Sequence, residues 1–324
     1  MKQDITLDDI EAAGRRIAAH IQPLRITPSA ALSERFGRDI RLAHEYLQTT
    51  GSFKLRGAMN AVLQLPAGAS GVTAVSTGNH GRALAYSAKQ AGVPCIICMS
   101  KLVPQNKLEG IRALGAETRI VGKSQDEAEI EAKRLVDEEG YTMIPPFDHP
   151  HVIAGQGTLG LEMLQLVPEV DTVLVQLSGG GLISGIALAL KSQRPDIRIV
   201  GISMRRGAAM AASQQAGKPV EVEELPTLAD SLGGGIGLDN RYTFAMVREY
   251  VDDIVLLEEE EIAEGIRHGY FSEQVIVEGG GAVGLAALLA GKVDPGENTI
   301  VLLSGKNIDM QLHRSIINNE PVDL

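Results

Sequence analysis

The chain has 324 residues, of which 44% are hydrophobic and 22% charged, a composition typical of folded rather than disordered proteins. Its 41 acidic and 30 basic side chains give a formal charge of −11, which argues against nucleic acid or an anionic membrane surface as the main partner. No apolar run approaches the ~18 residues needed to cross a bilayer, and residues 1–10 carry acids instead of a basic, apolar leader. We therefore expect a cytoplasmic protein that acts on a small molecule.

Short β-branched runs alternate with amphipathic stretches along the chain, which predicts an α/β fold of parallel-rich twisted sheets flanked by helices. Thr6, with Asp9 three residues later, predicts the start of the first helix. A first series of strands is predicted at 72–76, 94–99, 117–121 and 141–144, with helices at 82–90, 105–114 and 126–139. A second series of strands is predicted at 172–177, 197–202 and 299–303.

The loop Pro145-Pro-Phe-Asp-His-Pro150 is the best candidate for a domain boundary, because its prolines and turn residues interrupt this alternation. The series before it is too short to form the whole core, so residues ahead of that series should pack with residues behind it. We therefore predict a large domain made of residues 1–60 and 148–324, with a small domain, residues 61–147, inserted into it.

The two cysteines, Cys95 and Cys98, form a C-x-x-C pair inside an apolar run. A zinc site would need further Cys or His ligands nearby, and successive residues of a strand point to opposite faces of the sheet. We interpret the pair as two buried thiols.

Polar and glycine-rich segments stand where predicted strands end or helices begin, which is where open α/β sheets bind ligands. The first, Gly51-Ser-Phe-Lys-Leu-Arg-Gly57, places Lys54 between apolar neighbours. Burial lowers the pKa of a lysine and makes its amine a nucleophile for a Schiff base, although an exposed lysine at a helix start is the alternative.

The second segment, Ser76-Thr-Gly-Asn-His-Gly81, offers backbone N–H groups and small hydroxyls that suit a carboxylate. The alternative there is a capped turn, with Asn79 left-handed and His80 as the cap.

Two later segments complete the set. Ser178-Gly-Gly-Gly-Leu-Ile-Ser-Gly185 separates a predicted strand from a predicted helix, so its glycines can cradle a phosphate at the helix N-terminus, unless they only form a flexible turn. Ser304-Gly-Lys-Asn307 follows the last predicted strand, where its hydroxyl can bond a ring nitrogen or cap a helix. Separately, Gly279-Gly-Gly-Ala-Val-Gly284 matches the G-x-G-x-x-G pattern, which leaves a nicotinamide-dependent dehydrogenase as an alternative.

Taken together and in this order, these segments resemble the pyridoxal-phosphate enzymes of the tryptophan-synthase-β fold type, fold type II. The resemblance is to the threonine/serine dehydratase and serine racemase family, and it extends from Thr27-Pro28 to Ser304-Gly-Lys-Asn307. It implies a two-domain fold-type II enzyme with pyridoxal 5'-phosphate as cofactor and an amino acid as substrate. Relatives of this kind are commonly dimers, so we expect a homodimer.

The resemblance also assigns roles to the matching residues. Lys54 would hold the cofactor as a Schiff base and, once released, remove the Cα proton of the substrate. Asn79 would bond the cofactor's phenolic oxygen, and Ser304 would face the pyridine nitrogen, where a neutral hydroxyl favours elimination over transamination. The full cofactor set is Phe53, Lys54, Asn79, Ser178, Gly179, Gly180, Gly181, Leu182 and Ser304. The substrate carboxylate would be bound by Ser76, Thr77 and His80, with Thr77 also expected to be catalytic.

The activity that the resemblance implies is that of a lyase, a threonine dehydratase-like ammonia-lyase. It would eliminate water from a β-hydroxy amino acid and yield a 2-oxo acid and ammonia. The chain ends at Leu324, without room for the regulatory domain of biosynthetic threonine dehydratases, which favours a catabolic enzyme. The segments 203–210 and 233–240 look most like dehydratases assigned to hydroxyectoine degradation, which favours a substrate other than plain threonine.

Two departures from the family and two related activities remain to be weighed. Serine racemase-like relatives bind a divalent metal through an acidic pair after the strand predicted at 197–202, but Ser203-Met-Arg-Arg-Gly-Ala-Ala-Met210 has no carboxylate, so we predict no metal there. Relatives have Pro-Ser in the segment that reads Glu278-Gly-Gly-Gly281 here. This difference should alter the floor of the active-site pocket. A racemase could use the hydroxyl of Thr77, and a β-hydroxyaspartate dehydratase could use Arg205 or Arg206 for the second carboxylate; otherwise these arginines would contact a loop.

Overall fold

The computed structural model describes residues 5–101, 103, 105–123 and 125–322; both ends of the chain, residues 1–4 and 323–324, lie outside the described residues. Within this part of the chain, ten strands form two sheets that are covered by helices. The predicted α/β class is confirmed. None of the helices in the described residues is long and apolar enough to span a membrane.

The larger sheet has six strands in the order β1-β2-β10-β7-β8-β9. The edge strand β1 pairs antiparallel with β2, and the other four pairings are parallel. The strands are β1 (Ile26–Pro28), β2 (Asp39–His44), β7 (Thr172–Gln176), β8 (Arg198–Met204), β9 (Asp253–Leu257) and β10 (Asn298–Leu303). Because β2, β10, β7 and β8 run the same way, their carboxyl ends meet at one edge of the sheet.

The smaller sheet has four strands in the order β5-β4-β3-β6, all parallel. They are β3 (Gly71–Val75), β4 (Cys95–Met99), β5 (Glu117–Ile120) and β6 (Tyr141–Met143). All four lie between β2 and β7 in the sequence, so the strands of the larger sheet come from both sides of the smaller one. The division of the chain into residues 1–60 with 148–324 and residues 61–147 stays a prediction.

The helices cover both faces of the two sheets. They are α1 (Leu7–Ile17), α2 (Ala30–Phe36), α3 (Lys54–Val62), α4 (Asn79–Ala91), α5 (Gln105–Ala113), α6 (Gln125–Glu139), α7 (Pro150–Leu166), α8 (Gly181–Lys191), α9 (Ala209–Ala216), α10 (Thr243–Tyr250), α11 (Glu259–Phe271), α12 (Gly279–Leu289) and α13 (Met310–Ile317). Helices α8 and α12 are buried almost throughout, which explains why their sequences are apolar on every face.

Local sequence signals account for several of these elements. The Thr6 side chain accepts the N–H of Asp9, whose carboxylate accepts the N–H of Thr6, so the predicted capping box starts α1. Cys95 and Cys98 are buried thiols in β4, as predicted. Burial raises the pKa of Cys95 to about 12 and also raises the pKa of Cys98, so neither thiol is a reactive thiolate.

Three predicted details are wrong. Helix α4 begins at Asn79 instead of residue 82, so Asn79 is helical and not left-handed. Strand β8 continues to Met204, two residues beyond the predicted end at 202. No strand precedes Gly279 within residues 272–278, so the dinucleotide interpretation fails. Packing explains these glycines instead, since a Cβ on Gly279 would lie 2.0 Å from the carbonyl oxygen of Leu228.

Candidate active site

Lys54 lies at the start of α3, next to the carboxyl end of β10. The backbone N–H of Phe53 donates to the carbonyl of Ser304 over 2.9 Å, which joins the two segments directly. The Lys54 Nζ donates to the carbonyl oxygen of Pro146 over 2.8 Å and lies 5.2 Å from the centre of the Phe53 ring. Burial lowers the pKa of Lys54 to about 8, although the negative charge of Glu278 opposes this shift. The amine is thus a usable nucleophile and base near neutral pH.

The segment 76–81 forms the turn from β3 into α4. The Ser76 hydroxyl accepts the N–H of Gly81 over 3.1 Å, and the half-buried Ser76 and Thr77 precede the first turn of the helix. His80 is buried, and its Nε2 lies 2.7 Å from the carbonyl oxygen of Ile144. Burial, reinforced by the charge of Lys54, lowers the pKa of His80 to about 3. The imidazole is therefore neutral and donates to Ile144, so it brings no positive charge to a substrate carboxylate, whereas the helix N-terminus does.

A buried carboxylate, Glu278, connects α4 to the segment after β10. The Asn79 Nδ2 donates to Glu278 Oε1 over 2.8 Å, and the backbone N–H of Asn307 donates to Glu278 Oε2 over 3.0 Å. The Asn307 Nδ2 closes the network by donating to Asn79 Oδ1 over 2.6 Å. Burial raises the pKa of Glu278 to about 7, with a further contribution from the negative charge of Asp230. The predicted cofactor ligand Asn79 is thus held on both sides of its amide.

The glycine-rich segment after β7 forms the N-terminus of α8. Gly180 has a φ of +89°, a left-handed conformation that favours glycine, and α8 begins at Gly181. The N–H groups of Gly181 and Leu182 are in the first helical turn, where no helical acceptor exists for them. Two orphaned donors, the helix dipole and the half-buried Ser178 together fit a phosphate group. This segment and Lys54 are therefore suited to pyridoxal phosphate.

Ser304 follows β10 directly and is buried. Its strand lies between β2 and β7, so Ser304 and Ser178 follow two neighbouring strands of the larger sheet. The residue after it, Gly305, touches the Glu278 carboxylate so closely that a Cβ on Gly305 would lie 2.5 Å from Oε1. The structure thus brings Lys54, Ser304, Asn79 and the glycine-rich segment to one edge of the sheet.

The arginines after β8 have other partners. Arg205 pairs with the carboxylate of Glu258, and Arg206 Nη1 donates to the carbonyl oxygen of Pro226 over 3.0 Å. These contacts match the loop-contact role. The expected absence of a metal at this place stays a prediction.

The Glu278–Asn79–Asn307 network is the feature that sequence reasoning missed. Glu278 and Asn307 lie in segments that the sequence analysis identifies for other reasons. The available signal was an acidic residue directly before a glycine-opened helix in an otherwise apolar stretch. Its partner could not be identified because the three residues are separated by 199 and 228 positions along the chain.

Comparison with known proteins agrees with this geometry. The family model described as "Pyridoxal-phosphate dependent enzyme" matches residues 17–305. The sequence is 57% identical over 318 residues to a protein of Sinorhizobium fredii (strain NBRC 101917 / NGR234) named "Putative threonine dehydratase", covering 97% of this chain and 96% of that protein. Maize serine racemase has a similar structure, with a TM-score of 0.90, 34% identity and 97% of each chain covered. The processed form of threonine deaminase isoform 2 from Solanum lycopersicum has a TM-score of 0.88 and 32% identity, with 96% of this chain and 86% of that chain covered.

Proposed function

The chain belongs to the pyridoxal-phosphate dependent enzyme family and is a threonine dehydratase-like lyase, and from this premise we propose that it eliminates water from a β-hydroxy amino acid. The products would be a 2-oxo acid and ammonia. The observation that carries the proposal is the amine of Lys54, whose pKa is lowered to about 8 by burial and which contacts the Pro146 carbonyl and lies 5.2 Å from the centre of the Phe53 ring.

The proposed cofactor site joins the residues described above. Pyridoxal phosphate, when bound, supplies the electron sink that makes the Cα proton of an amino acid acidic. We place its phosphate on the segment from Ser178 to Leu182, which includes Gly179, Gly180 and Gly181, and its pyridine nitrogen beside Ser304. Asn79 would face its phenolic oxygen, with Phe53 beside the ring. The network around Glu278 supports this placement, because it fixes the orientation of the Asn79 amide.

The chain's own groups would then handle the proton and the substrate. Lys54, whose pKa is lowered to about 8 by burial, would take the Cα proton as general base. Ser76 and Thr77, at the N-terminus of α4, would hold the substrate carboxylate together with backbone N–H groups of the first turn. His80 would contribute by fixing α4 against the Ile144 carbonyl. The hydroxyl of Thr77 would serve as a second acid–base group in addition to Lys54.

The substrate proposal is a β-hydroxy amino acid of the hydroxyectoine degradation type. It is supported by the resemblance of residues 203–210 and 233–240 to dehydratases of that route. Ser231, two residues before the second segment, contributes a hydrogen bond to Glu278, so this loop reaches the proposed site. A β-hydroxyaspartate substrate is less well supported, because Arg205 and Arg206 already have other partners.

The test is a substrate panel with the purified holoenzyme. Threonine, serine, the β-hydroxyaspartates and hydroxylated diaminobutyrate would each be incubated with enzyme while 2-oxo acid and ammonia are measured. We expect turnover to be fastest with hydroxylated diaminobutyrate. Equal or faster turnover of threonine would contradict the substrate proposal and leave the dehydratase proposal in place. A visible cofactor band without 2-oxo acid from any member would overturn the dehydratase proposal.

Racemisation is the second candidate, favoured by the likeness to maize serine racemase. The same incubations in deuterium oxide separate the two reactions. Recovery of deuterated substrate of inverted configuration, in excess of 2-oxo acid, would identify a racemase. Deuterium-free recovered substrate alongside 2-oxo acid would identify a dehydratase.

We also propose that the enzyme is a cytoplasmic homodimer. The homodimer is supported by the exposed aromatic pair Tyr270 and Phe271, since large exposed apolar side chains that cluster mark protein interfaces. The cytoplasmic location would be tested by cell fractionation.

A further inference from the structure

The segment Pro146-Phe-Asp148, which leads from the smaller sheet into α7, contacts two parts of the proposed cofactor site and also the start of α10. The Pro146 carbonyl accepts a hydrogen bond from Lys54. The ring of Phe147 lies against Gly179, where a Cβ would be only 2.3 Å from Cδ1, and its backbone lies against Gly181. The third contact is made by the Asp148 carboxylate, which no role in the reaction explains.

Asp148 accepts three consecutive backbone N–H groups. Its Oδ2 lies 2.6 Å from the N of Arg241, and its Oδ1 lies 2.9 Å from the N of Tyr242 and 3.0 Å from the N of Thr243. These donors open α10, whose N-cap residue Tyr242 makes no side-chain cap of its own. A carboxylate is the favoured partner of such donors because of their orphaned N–H groups and the helix dipole. Asp148 thus caps a helix that begins almost a hundred residues later in the chain.

Helix α10 contacts the middle glycine of the cradle. A Cβ on Gly180 would lie 3.0 Å from the Cβ of Thr243, 3.2 Å from Cγ2 of Val247 and 2.9 Å from Cε of Met210. The flanking glycines, Gly179 and Gly181, meet Phe147 instead. The glycine-rich segment is therefore held between two walls, one formed by Phe147 and the other mainly by α10.

We propose that Asp148 is a positioning residue for the phosphate of pyridoxal phosphate, acting by joining these two walls. Asp148 belongs to the same segment as Phe147, and it holds α10 by three hydrogen bonds. It therefore fixes the distance between the two walls, and the glycines present their N–H groups between these walls. Its own negative charge is directed at α10 and not at the phosphate. The inference rests on the proposed placement of the phosphate at Ser178 to Leu182.

The test compares Asp148→Asn and Asp148→Ala with the matched control Asp171→Asn. The Asp171 carboxylate also accepts a backbone N–H, that of Asn298 over 2.8 Å, but at the amino ends of the strands, opposite the proposed site. The affinity of each apoprotein for pyridoxal phosphate would be measured by fluorescence titration, and the bound phosphate would be observed by phosphorus NMR. We expect Asp148→Ala to bind the cofactor about tenfold more weakly, because it loses hydrogen bonds to a charged group. Asp148→Asn should show a smaller loss, and Asp171→Asn should match the wild type.

The outcomes distinguish a failure of the proposed function from a failure of the inference about Asp148. Wild-type protein that does not bind pyridoxal phosphate would overturn the proposed function. Wild-type protein that binds, with Asp148 variants of unchanged affinity and phosphorus shift, would overturn the inference alone. An equal loss of affinity in Asp171→Asn would also overturn it, since general destabilisation would then suffice. If Asp148→Ala does not fold, the affinity and phosphorus shift of Asp148→Asn decide.

Discussion

At the scale of single residues, the amine of Lys54 is the group on which the proposed chemistry depends. Lys54→Ala should abolish the visible absorbance band of the lysine-bound cofactor and lower turnover at least about a thousandfold, because it removes both the covalent attachment and the general base. Absorbance spectra and product assays check this. The matched control is Lys89→Ala, an exposed lysine of α4, which should behave like the wild type. A Lys54→Ala protein that keeps band and turnover would contradict the assignment.

Glu278 makes the stability of the apoprotein depend on pH. Its pKa is about 7 in the folded protein against an ordinary value of 4.5, so the folded state holds this proton more tightly than the unfolded state does. The stabilisation of the folded state by this tighter proton binding is fully present below pH 4.5 and is lost as the pH rises through 7. Between pH 5 and 7.5 the wild type should therefore lose up to about 3 kcal/mol of unfolding free energy that Glu278→Gln does not lose. Urea titrations of both apoproteins at the two pH values test this, and parallel changes would refute it.

Sequence reasoning is strong for residues whose role follows from their immediate neighbours and weak for those defined by distant partners. The role of Lys54 is indicated by its apolar neighbours Phe53 and Leu55. The role of the glycines is indicated by the helix that follows them. The partners of Glu278 depend on how α4 and the segment after β10 meet, which no local pattern encodes. The same reasoning placed Asn79 in a turn, because a polar, glycine-flanked segment without a side-chain cap favours a loop on local grounds.

At the scale of elements, α3 is fixed by a buried cation two residues beyond Lys54. The Arg56 guanidinium is fully buried and donates to Glu45 over 2.7 and 3.1 Å, to Thr158 over 3.0 Å and to Glu162. Glu45 precedes α3 and the other two partners belong to α7, so one side chain sets how α3 lies against both. The nearby carboxylates keep the pKa of Arg56 above its ordinary value despite burial.

Arg56→Met should cost about 3–5 kcal/mol of unfolding free energy, because it leaves the buried Glu45 carboxylate without its counter-charge. The control is Arg205→Met, since the Arg205–Glu258 pair is 55% and 56% exposed and should contribute only about 0–1 kcal/mol. Urea unfolding of the three proteins measures both effects. Similar losses in the two variants would show that burial does not decide the strength of these pairs.

Among the elements, seven of the ten strands in the described residues were predicted from the sequence, and β1, β2 and β9 were not. Strands such as β7 and β10 are buried on both faces, so their apolar runs are unambiguous. The edge strand β9 begins with Asp253 and is only partly buried, and β1 has three residues. Their strand conformation comes from pairing with a neighbour, which the sequence of the strand itself does not specify.

At the scale of the whole molecule, the expected assembly is a homodimer. Phe271 is 64% exposed and stacks edge-on with Tyr270 at a ring separation of 5.0 Å, and an aromatic pair of this kind is costly to leave in water. Sedimentation equilibrium of the holoenzyme should give twice the chain mass of 34.5 kDa. A single species of 34.5 kDa across micromolar concentrations would contradict this expectation.

The position of β10 has a consequence for how the enzyme is made. This strand lies between β2 and β7, pairing along its full length with β2, yet it is the last of the ten strands to be synthesised. A nascent chain therefore carries Lys54 and the glycines long before the strand that joins their two halves of the sheet has left the ribosome. Because Ser304 arrives with that strand, the proposed cofactor site cannot close before β10 has left the ribosome, and loading with cofactor should follow that step.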